Sequence, residues 1–476
     1  MSPLEFSALL PLLITAAAAS ALTAVAGFYR NHCFVAGSTM AAFALSFASI
    51  FIAATAAPVA VTQLLVVDGF ALFFMGLIYA ASFAVALLSY GYNGGAGGKH
   101  TEYYILLLLS ALGASVLAGS RHFASFFLGL ETLSVSLFGL VAYMRSPKGN
   151  EAGLKYLVLA GASSAFLVFG MALVYAATGS MEFSAVSALA GRGGGPLFLS
   201  GMAMIIAGAG FKLAVVPFHG WTPDVYEGAP APVGAFIASV SKGAVVVVLM
   251  RLMGGSLASG GPLFTFLTAV AVASMFAGNL LALFQENVKR VLAYSSIAHL
   301  GYLLVAFLSS GSFAAGAVAF YLAAYFISII GAFGVVTVLS VNGSDLDSLE
   351  SYRGLAWRRP LTTAVFTAML LSLAGIPLTA GFVGKFYLVA AGAASSMWLL
   401  VLSLALSSVI GFYYYLRIIL VLFSPALETN ELPADSAAHP AGSAALAALF
   451  AALVLLGIYP GPFLSLIGAA AAGLWQ

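Results

Sequence analysis

Residues 196–217 read Pro196-Leu-Phe-Leu-Ser-Gly-Met-Ala-Met-Ile-Ile-Ala-Gly-Ala-Gly-Phe211-Lys212-Leu-Ala-Val-Val-Pro217. About 20 apolar residues in a row is the length of a helix that crosses a bilayer. This run carries a lysine deep within it and a helix-breaking proline five residues later. An ionisable group at the bilayer centre costs roughly 2.5–3.5 kcal/mol even on lenient insertion scales, so such residues usually mark an ion path. Four more ionisable residues stand in comparable runs: Glu131, Lys155, Lys242 and Lys385.

The rest of the chain has the same character. Hydrophobic residues make up 62% and charged residues 7%, with a mean hydropathy of +1.09. Soluble domains carry about 25% charged residues, so the composition specifies an integral membrane protein. A net charge of +2 without a basic run gives no nucleic-acid interface. The single cysteine, Cys33, excludes an internal disulfide, a four-cysteine zinc site and a protein-ligated iron–sulfur cluster. The apolar run after Glu5 lacks the basic residues of a cleaved signal and reads as the first spanning helix.

Glycine, proline and charge punctuation divides the chain into fourteen segments, near 5–26, 33–57, 68–90, 102–119, 122–144, 152–178, 196–217, 230–253, 262–284, 289–309, 313–341, 361–391, 396–423 and 442–472. Only Gly119-Ser120-Arg121 separates the fourth from the fifth. Loops after odd-numbered segments hold Arg30, Lys99, Arg145, Lys148, Lys289, Arg290, Arg353, Arg358 and Arg359, whereas those after even-numbered segments hold Arg121, Arg192 and Arg251. Positive charge concentrates on the cytoplasmic side, so both termini are expected outside.

Two segments carry a proline in mid-span: the seventh at Pro217 and the twelfth at Gly375-Ile-Pro377, shortly before Lys385. Both are expected to be discontinuous, with the freed backbone groups satisfied by water or polar side chains. They lie five segments apart, which in an alternating topology makes segments 4–8 and 9–13 inverted repeats, a transporter design that places ion sites at the midplane. The expected organisation is an all-α membrane protein of about fourteen helices. Residues 1–101 form three N-terminal spans, 102–253 the first repeat, 262–423 the second and 442–476 a last helix.

A lysine withdrawn from water holds its proton less tightly and can load and release it near neutral pH. If Glu131 pairs with Lys212, the two titrate as one unit that senses a third charge, for which Lys242 is the natural candidate. His299, in Ser295-Ser296-Ile-Ala-His299-Leu-Gly-Tyr302, has a polar lining suited to a relay. Lys155 stands four residues after Glu151 and reads equally well as half of a helical ion pair. Arg417, flanked by Tyr413, Tyr414 and Tyr415, fits an interfacial anchor, and His219 near Pro217 is ambiguous. No histidine or cysteine spacing supports a metal site. Gly191-Arg-Gly-Gly-Gly195 and Gly384-Lys385 lack the remainder of a phosphate loop.

The block Phe211-Lys-Leu-Ala-Val-Val-Pro-Phe-His-Gly-Trp-Thr-Pro-Asp-Val-Tyr-Glu-Gly-Ala-Pro-Ala-Pro232 resembles the antiporter-like subunits of respiratory complex I, in detail the N-type. Glu131-Thr-Leu-Ser-Val-Ser136, Gln285-Glu-Asn-Val-Lys-Arg-Val-Leu-Ala-Tyr-Ser-Ser-Ile-Ala-His299 and Leu373-Ala-Gly-Ile-Pro-Leu-Thr-Ala-Gly-Phe-Val-Gly-Lys385 support the resemblance. The lysine in the twelfth segment and the early end of the chain distinguish it from the M-type and L-type. The resemblance implies that Glu131, Lys212, Lys242, His299 and Lys385 form a proton path. It also implies that energy comes from quinone reduction in neighbouring subunits, with K-type and M-type subunits as the expected neighbours in a bacterial inner membrane. No cofactor is expected in this chain; FMN, iron–sulfur clusters and quinone would belong to the other subunits. The alternative is a Mrp-type cation/proton antiporter or the antiporter-like subunit of a membrane hydrogenase.

Overall fold

The computed structural model describes all residues except 1, 97–99, 192, 254–259, 310, 342, 426–438 and 473–476. Lys99 and Arg192, both used above to assign orientation, lie outside the described residues. Among the described residues thirteen helices are long and apolar enough to cross a membrane, and the shorter apolar helices Pro360–Ala374 and Ala380–Ala394 are taken together as a fourteenth span. In chain order the other spans are Pro3–Ala26, His32–Ala56, Gly69–Ala96, Thr101–Gly119, Phe123–Val141, Pro147–Thr178, Pro196–Leu213, Ala231–Met253, Pro262–Leu283, Val288–Leu308, Ser312–Leu339, Trp398–Phe423 and Pro440–Ile458. They are numbered 1–14 below, with the interrupted pair as span 12.

The connections separate into two groups, as an alternating path requires. On one face Arg121 N donates to Leu64 O, His122 bridges Glu182, and Arg251 binds Asp68, joining the loops that follow even-numbered spans and the span ends beside them. On the other face Lys148 meets Glu227, Lys289 meets Asp345, and Tyr92 OH donates to Gly343 O, joining the loops that follow odd-numbered spans and the span ends beside them. A short hairpin of β1 (Val59–Val61) and β2 (Leu65–Val67), together with the helix Phe183–Ala190, decorates the even-loop face. The chain is therefore nearly, not wholly, all-helical.

Burial grades from rim to centre. The apolar core of span 8 is wholly buried, and those of spans 10 and 11 are 89% buried, against 33% for spans 1 and 6 and 22% for span 14. A charge on a central span has only protein for surroundings, and Lys242 and His299 lie there.

Both expected helix breaks are present and close in the same way. Span 7 ends where Ala214 takes a left-handed conformation (φ 61°), with Val215 N donating to Gly210 O and Ala214 N to Phe211 O. The first half of span 12 ends on left-handed Gly375 (φ 85°), with Ile376 N donating to Leu371 O and Gly375 N to Ser372 O. This is the Schellman pattern, followed shortly by a proline that cannot rejoin the helix. Beyond Pro217 the chain forms a short helix, Thr222–Gly228, before span 8.

Two interruptions depart from the expected segments. Residues 442–472 do not form one helix: it stops at Ile458, and after Tyr459-Pro460 a second one runs from Gly461 to Ala472. Proline removes the donor and clashes with the preceding turn. Span 8 contains a π-helical stretch, Ile237–Ser241, immediately before Lys242, a feature that often accompanies functional sites.

Candidate functional site

Lys212 is 3% exposed and donates to Ser134 Oγ at 2.6 Å. Its ammonium also lies 5.6 Å from the ring centre of Tyr156 and 5.7 Å from that of Phe138, within cation–π range. Tyr156 stacks on Trp221 (4.8 Å), whose Nε1 donates to Phe211 O, one of the carbonyls at the break. The exposed backbone of span 7 is thus satisfied by an indole, and Val216 N donates to Ser274 Oγ of span 9.

Glu131 and Lys212 do not form the direct pair expected from sequence. The Glu131 carboxylate accepts from Ser164 Oγ at 2.6 Å and is only half-buried, on the outer side of spans 5 and 6. One helical turn on, Ser134 faces inward and takes the lysine instead.

Lys242 donates to Ser296 Oγ (2.7 Å), which also accepts from Tyr325 OH (2.7 Å). With two donors aimed at it, the serine must send its own proton elsewhere. Tyr325 lies 5.3 Å, ring to ring, from His299. The imidazole is clamped at both nitrogens, with Tyr321 OH 2.7 Å from Nδ1 and Tyr415 OH 3.1 Å from Nε2; Tyr415 also contacts Ser295. Tyr302 follows at 5.4 Å from the His299 ring, and Lys385 Nζ sits 5.0 Å from the centre of the Tyr302 ring.

Lys385 donates to Ala374 O and Ser408 Oγ, each at 2.8 Å. Ala374 O is freed by the break in span 12, and the C-terminal end of a helix favours a cation. Gly375 is needed here, because a Cβ on it would stand 2.8 Å from Lys385 Cδ. A buried row of polar groups and rings therefore runs from Lys242 to Lys385: hydrogen bonds join Lys242, Ser296 and Tyr325, and join Tyr321 and Tyr415 to His299, while ring contacts set Tyr325 and Tyr302 beside His299 and Tyr302 beside Lys385.

The remaining charged residues have local explanations. Lys155 bonds both Glu151 (2.7 Å) and Asp224 (2.8 Å), so the ion-pair reading holds. Arg417 donates to Leu283 O and Gln285 O and caps the end of span 9. His219 is half-buried in the unwound stretch after Pro217. Three cations counted with the loops are engaged in contacts between elements. Arg251 makes a bidentate pair with Asp68 (2.6 and 3.0 Å), Lys289 binds Asp345 (2.6 Å), and Arg290 bridges Asp224 and Glu227 (2.9 Å each). Burial disfavours the Asp224 and Glu227 carboxylates, but Lys155 and Arg290 at the first, and Lys148 and Arg290 at the second, outweigh it and hold both below the ordinary range. Sequence reading missed Tyr321, Tyr325, Tyr415, Ser408 and Asn279, which make up or flank the row. The one available signal was the spacing of Tyr321 and Tyr325, four apart and so on one face of span 11.

Residues 120–411 match the family described as NADH:quinone oxidoreductase/Mrp antiporter, TM. Over 98% of its length the chain is 48% identical to NADH-quinone oxidoreductase subunit N of Ectopseudomonas mendocina, covering 96% of that relative. The chain belongs to the subunit N family of NADH-quinone oxidoreductase. A chain of the respiratory complex I of Thermus thermophilus, solved with bound aureothin, superposes with a TM-score of 0.84 at 35% identity, over 96% of this chain and 99% of that one. A chain of the Mrp complex from a Dietzia species superposes with a TM-score of 0.87 at 20% identity, over 100% and 98%. That likeness is one of fold alone. Backbone shape is common to subunit N and the Mrp chain; sequence identity separates them.

Proposed function

We propose that this subunit N is a proton-translocating part of the membrane arm of a bacterial NADH:quinone oxidoreductase, with no redox step on its own residues. The observation that carries this reading is the buried row of Lys242, Ser296, Tyr325, His299, Tyr302 and Lys385, flanked by Lys212 at the other helix break. Groups that gain and lose protons are set in low-dielectric surroundings, each beside hydroxyls able to pass a proton on. In this reading protons reach Lys212 from the cytoplasm, move through Lys242 and His299 to Lys385, and leave on the outer side. Quinone reduction elsewhere in the complex, with flavin and iron–sulfur clusters in other subunits, supplies the energy.

The excess of Lys and Arg in the odd loops supports a cytoplasmic odd-loop face and periplasmic termini. The matched closures of spans 7 and 12 support inverted repeats at 102–253 and 262–423. Glu131 and Ser164 form a polar spot on a face where Leu128, Val135 and Leu154 are each at least 60% exposed. A carboxylate turned towards lipid is costly, which makes this face a seat for a neighbouring K-type or M-type subunit, whose approach would bias the Lys212 site through Glu131.

The test is NADH-driven acidification of inverted membrane vesicles, wild type against Lys242→Ala, with and without a sodium ionophore. Proton translocation requires acidification that survives collapse of the sodium gradient and is lost in the variant while the complex still assembles. Unchanged acidification would make Lys242 structural, and sodium dependence would favour cation/proton antiport.

A further inference from the structure

Lys242 is only 1% exposed, yet its ammonium lies 5.4 Å from the ring centre of Tyr226, in the short helix Thr222–Gly228 on the odd-loop face. One two-turn helix therefore separates this lysine from a charged surface cleft of about 150 Å³ on the far side of that helix, where Lys148, Glu151, Lys155, Asp224 and Glu227 meet. The two faces of the helix differ. Asp224 and Glu227, three residues apart, are partly exposed and are bound by Lys155, Lys148 and Arg290 at 2.8–3.0 Å. Thr222 and Tyr226, four residues apart and so on one face, are 0% exposed. Neither Thr222 Oγ1 nor the Tyr226 hydroxyl has a hydrogen-bond partner among the described residues. Ser296, already taking Lys242 and Tyr325 as donors, stands beside the Tyr226 hydroxyl without closing a hydrogen bond to it.

The helix is closely seated: a Cβ on Gly228 would stand 2.5 Å from Ala152 Cβ and 2.6 Å from Lys148 O. Tyr226 and Phe333, 5.7 Å apart ring to ring, complete the wall over the lysine. Both ends of the helix are irregular, with the unwound stretch from left-handed Ala214 through Pro217 before it and Ala229-Pro230 after it, so its displacement need not unwind a span. We propose that the helix Thr222–Gly228 is a gate through which Lys242 exchanges with water on the odd-loop face, the cytoplasmic face under the proposed orientation. Ion pairs on one side of the helix hold it shut. Pairs this exposed are weak latches. The buried hydroxyls on the other side oppose closure, because an unpaired hydroxyl is costly and gains a partner when the helix lifts and water enters. Lys242 thus has an entrance of its own, separate from that of Lys212, with Thr222 and Tyr226 as positioning residues at its threshold.

The inference rests on the proton-path reading of Lys242, so its test uses a readout that does not require pumping. In assembled complex, Cys33→Ser removes the single cysteine of this chain, and Lys242→Cys is labelled in inverted membrane vesicles with a small, charged methanethiosulfonate reagent. Asp224→Asn with Glu227→Gln loosens the latch and is expected to speed labelling several-fold. Thr222→Val with Tyr226→Phe keeps the shape, removes the hydroxyls and is expected to slow it several-fold. A rate that either pair leaves unchanged would overturn the gate; where the latch variants do not assemble, the hydroxyl pair alone decides. If Lys242→Ala stops pumping while labelling ignores the pairs, the gate fails and the functional reading stands. If labelling responds as expected while Lys242→Ala pumps normally, the helix is a gate and the functional reading fails.

Discussion

At the scale of single residues, the buried lysines differ in what holds them, and this sets what each substitution does. Lys212 has a serine and three aromatic rings around its ammonium. Lys212→Arg keeps the charge but not the ability to give up a proton, since a guanidinium stays protonated; acidification of inverted vesicles should be abolished while the complex assembles. That Lys212, Lys242 and Lys385 are buried is legible from their apolar windows, but Lys155 stands in a comparable window and is exposed, paired with Glu151 and Asp224. The partners of the buried lysines are not legible. Glu131 and Ser134 are one turn apart on span 5, and only the packing of spans 5, 6 and 7 decides that the serine meets Lys212 while the carboxylate turns to Ser164. The spacing of Tyr321 and Tyr325 puts them on one face of span 11, but their partners are silent in sequence, since a hydroxyl declares its role only through its neighbours.

At the scale of elements, the two helix breaks are the built-in irregularities that bring backbone polarity to the lysines. Gly381, just after the second break, has no room for a side chain: a Cβ would lie 1.9 Å from Ser372 O. Gly381→Ala must displace the second half of span 12 and with it Lys385. Overpacking of this kind costs about 1–3 kcal/mol or more, and blue-native gels should show less assembled complex and the remainder poorly coupled. Both breaks are readable as proline in an apolar run. The Tyr459-Pro460 interruption follows the same rule but falls near the end of a run long enough for one helix, and the π-helical stretch before Lys242 has no sequence mark at all. The short helix Thr222–Gly228 is pinned by Asp224 and Glu227 to Lys148, Lys155 and Arg290. Both carboxylates are held below the ordinary range, so the stabilisation is present above their unfolded values and is lost as pH falls through the folded ones. Limited proteolysis of this loop should stay slow down to about pH 4 and accelerate below it.

At the scale of the whole molecule, the buried centre and exposed rim divide the labour between proton path and assembly. The face carrying Glu131, Leu128 and Val135 should be covered in the complex. A cysteine at Val135 is expected to react with a membrane-permeant maleimide in the isolated subunit and to be protected in the assembled complex; equal labelling in both would refute a neighbour at this face. Span number and alternation are legible from composition, since the bilayer imposes length and charge rules on every span. The tie between spans 3 and 8 is not. Asp68 and Arg251 are 183 residues apart, the arginine reads as an ordinary loop charge, and the two form a pair in which each side chain is less than 10% exposed. Removing one partner, as in Asp68→Ala, should cost about 3–5 kcal/mol and lower the thermal stability of the purified complex. The same pair has a consequence for biogenesis. Span 3 is made long before span 8, and its aspartate must wait at the membrane surface until the arginine arrives. Closure of the pair, with Arg251 Nε also donating to Ala118 O at the end of span 4, is a late event that joins the first-made helices to the finished first repeat. A chain truncated before Arg251 leaves Asp68 without the guanidinium that covers it in the folded subunit.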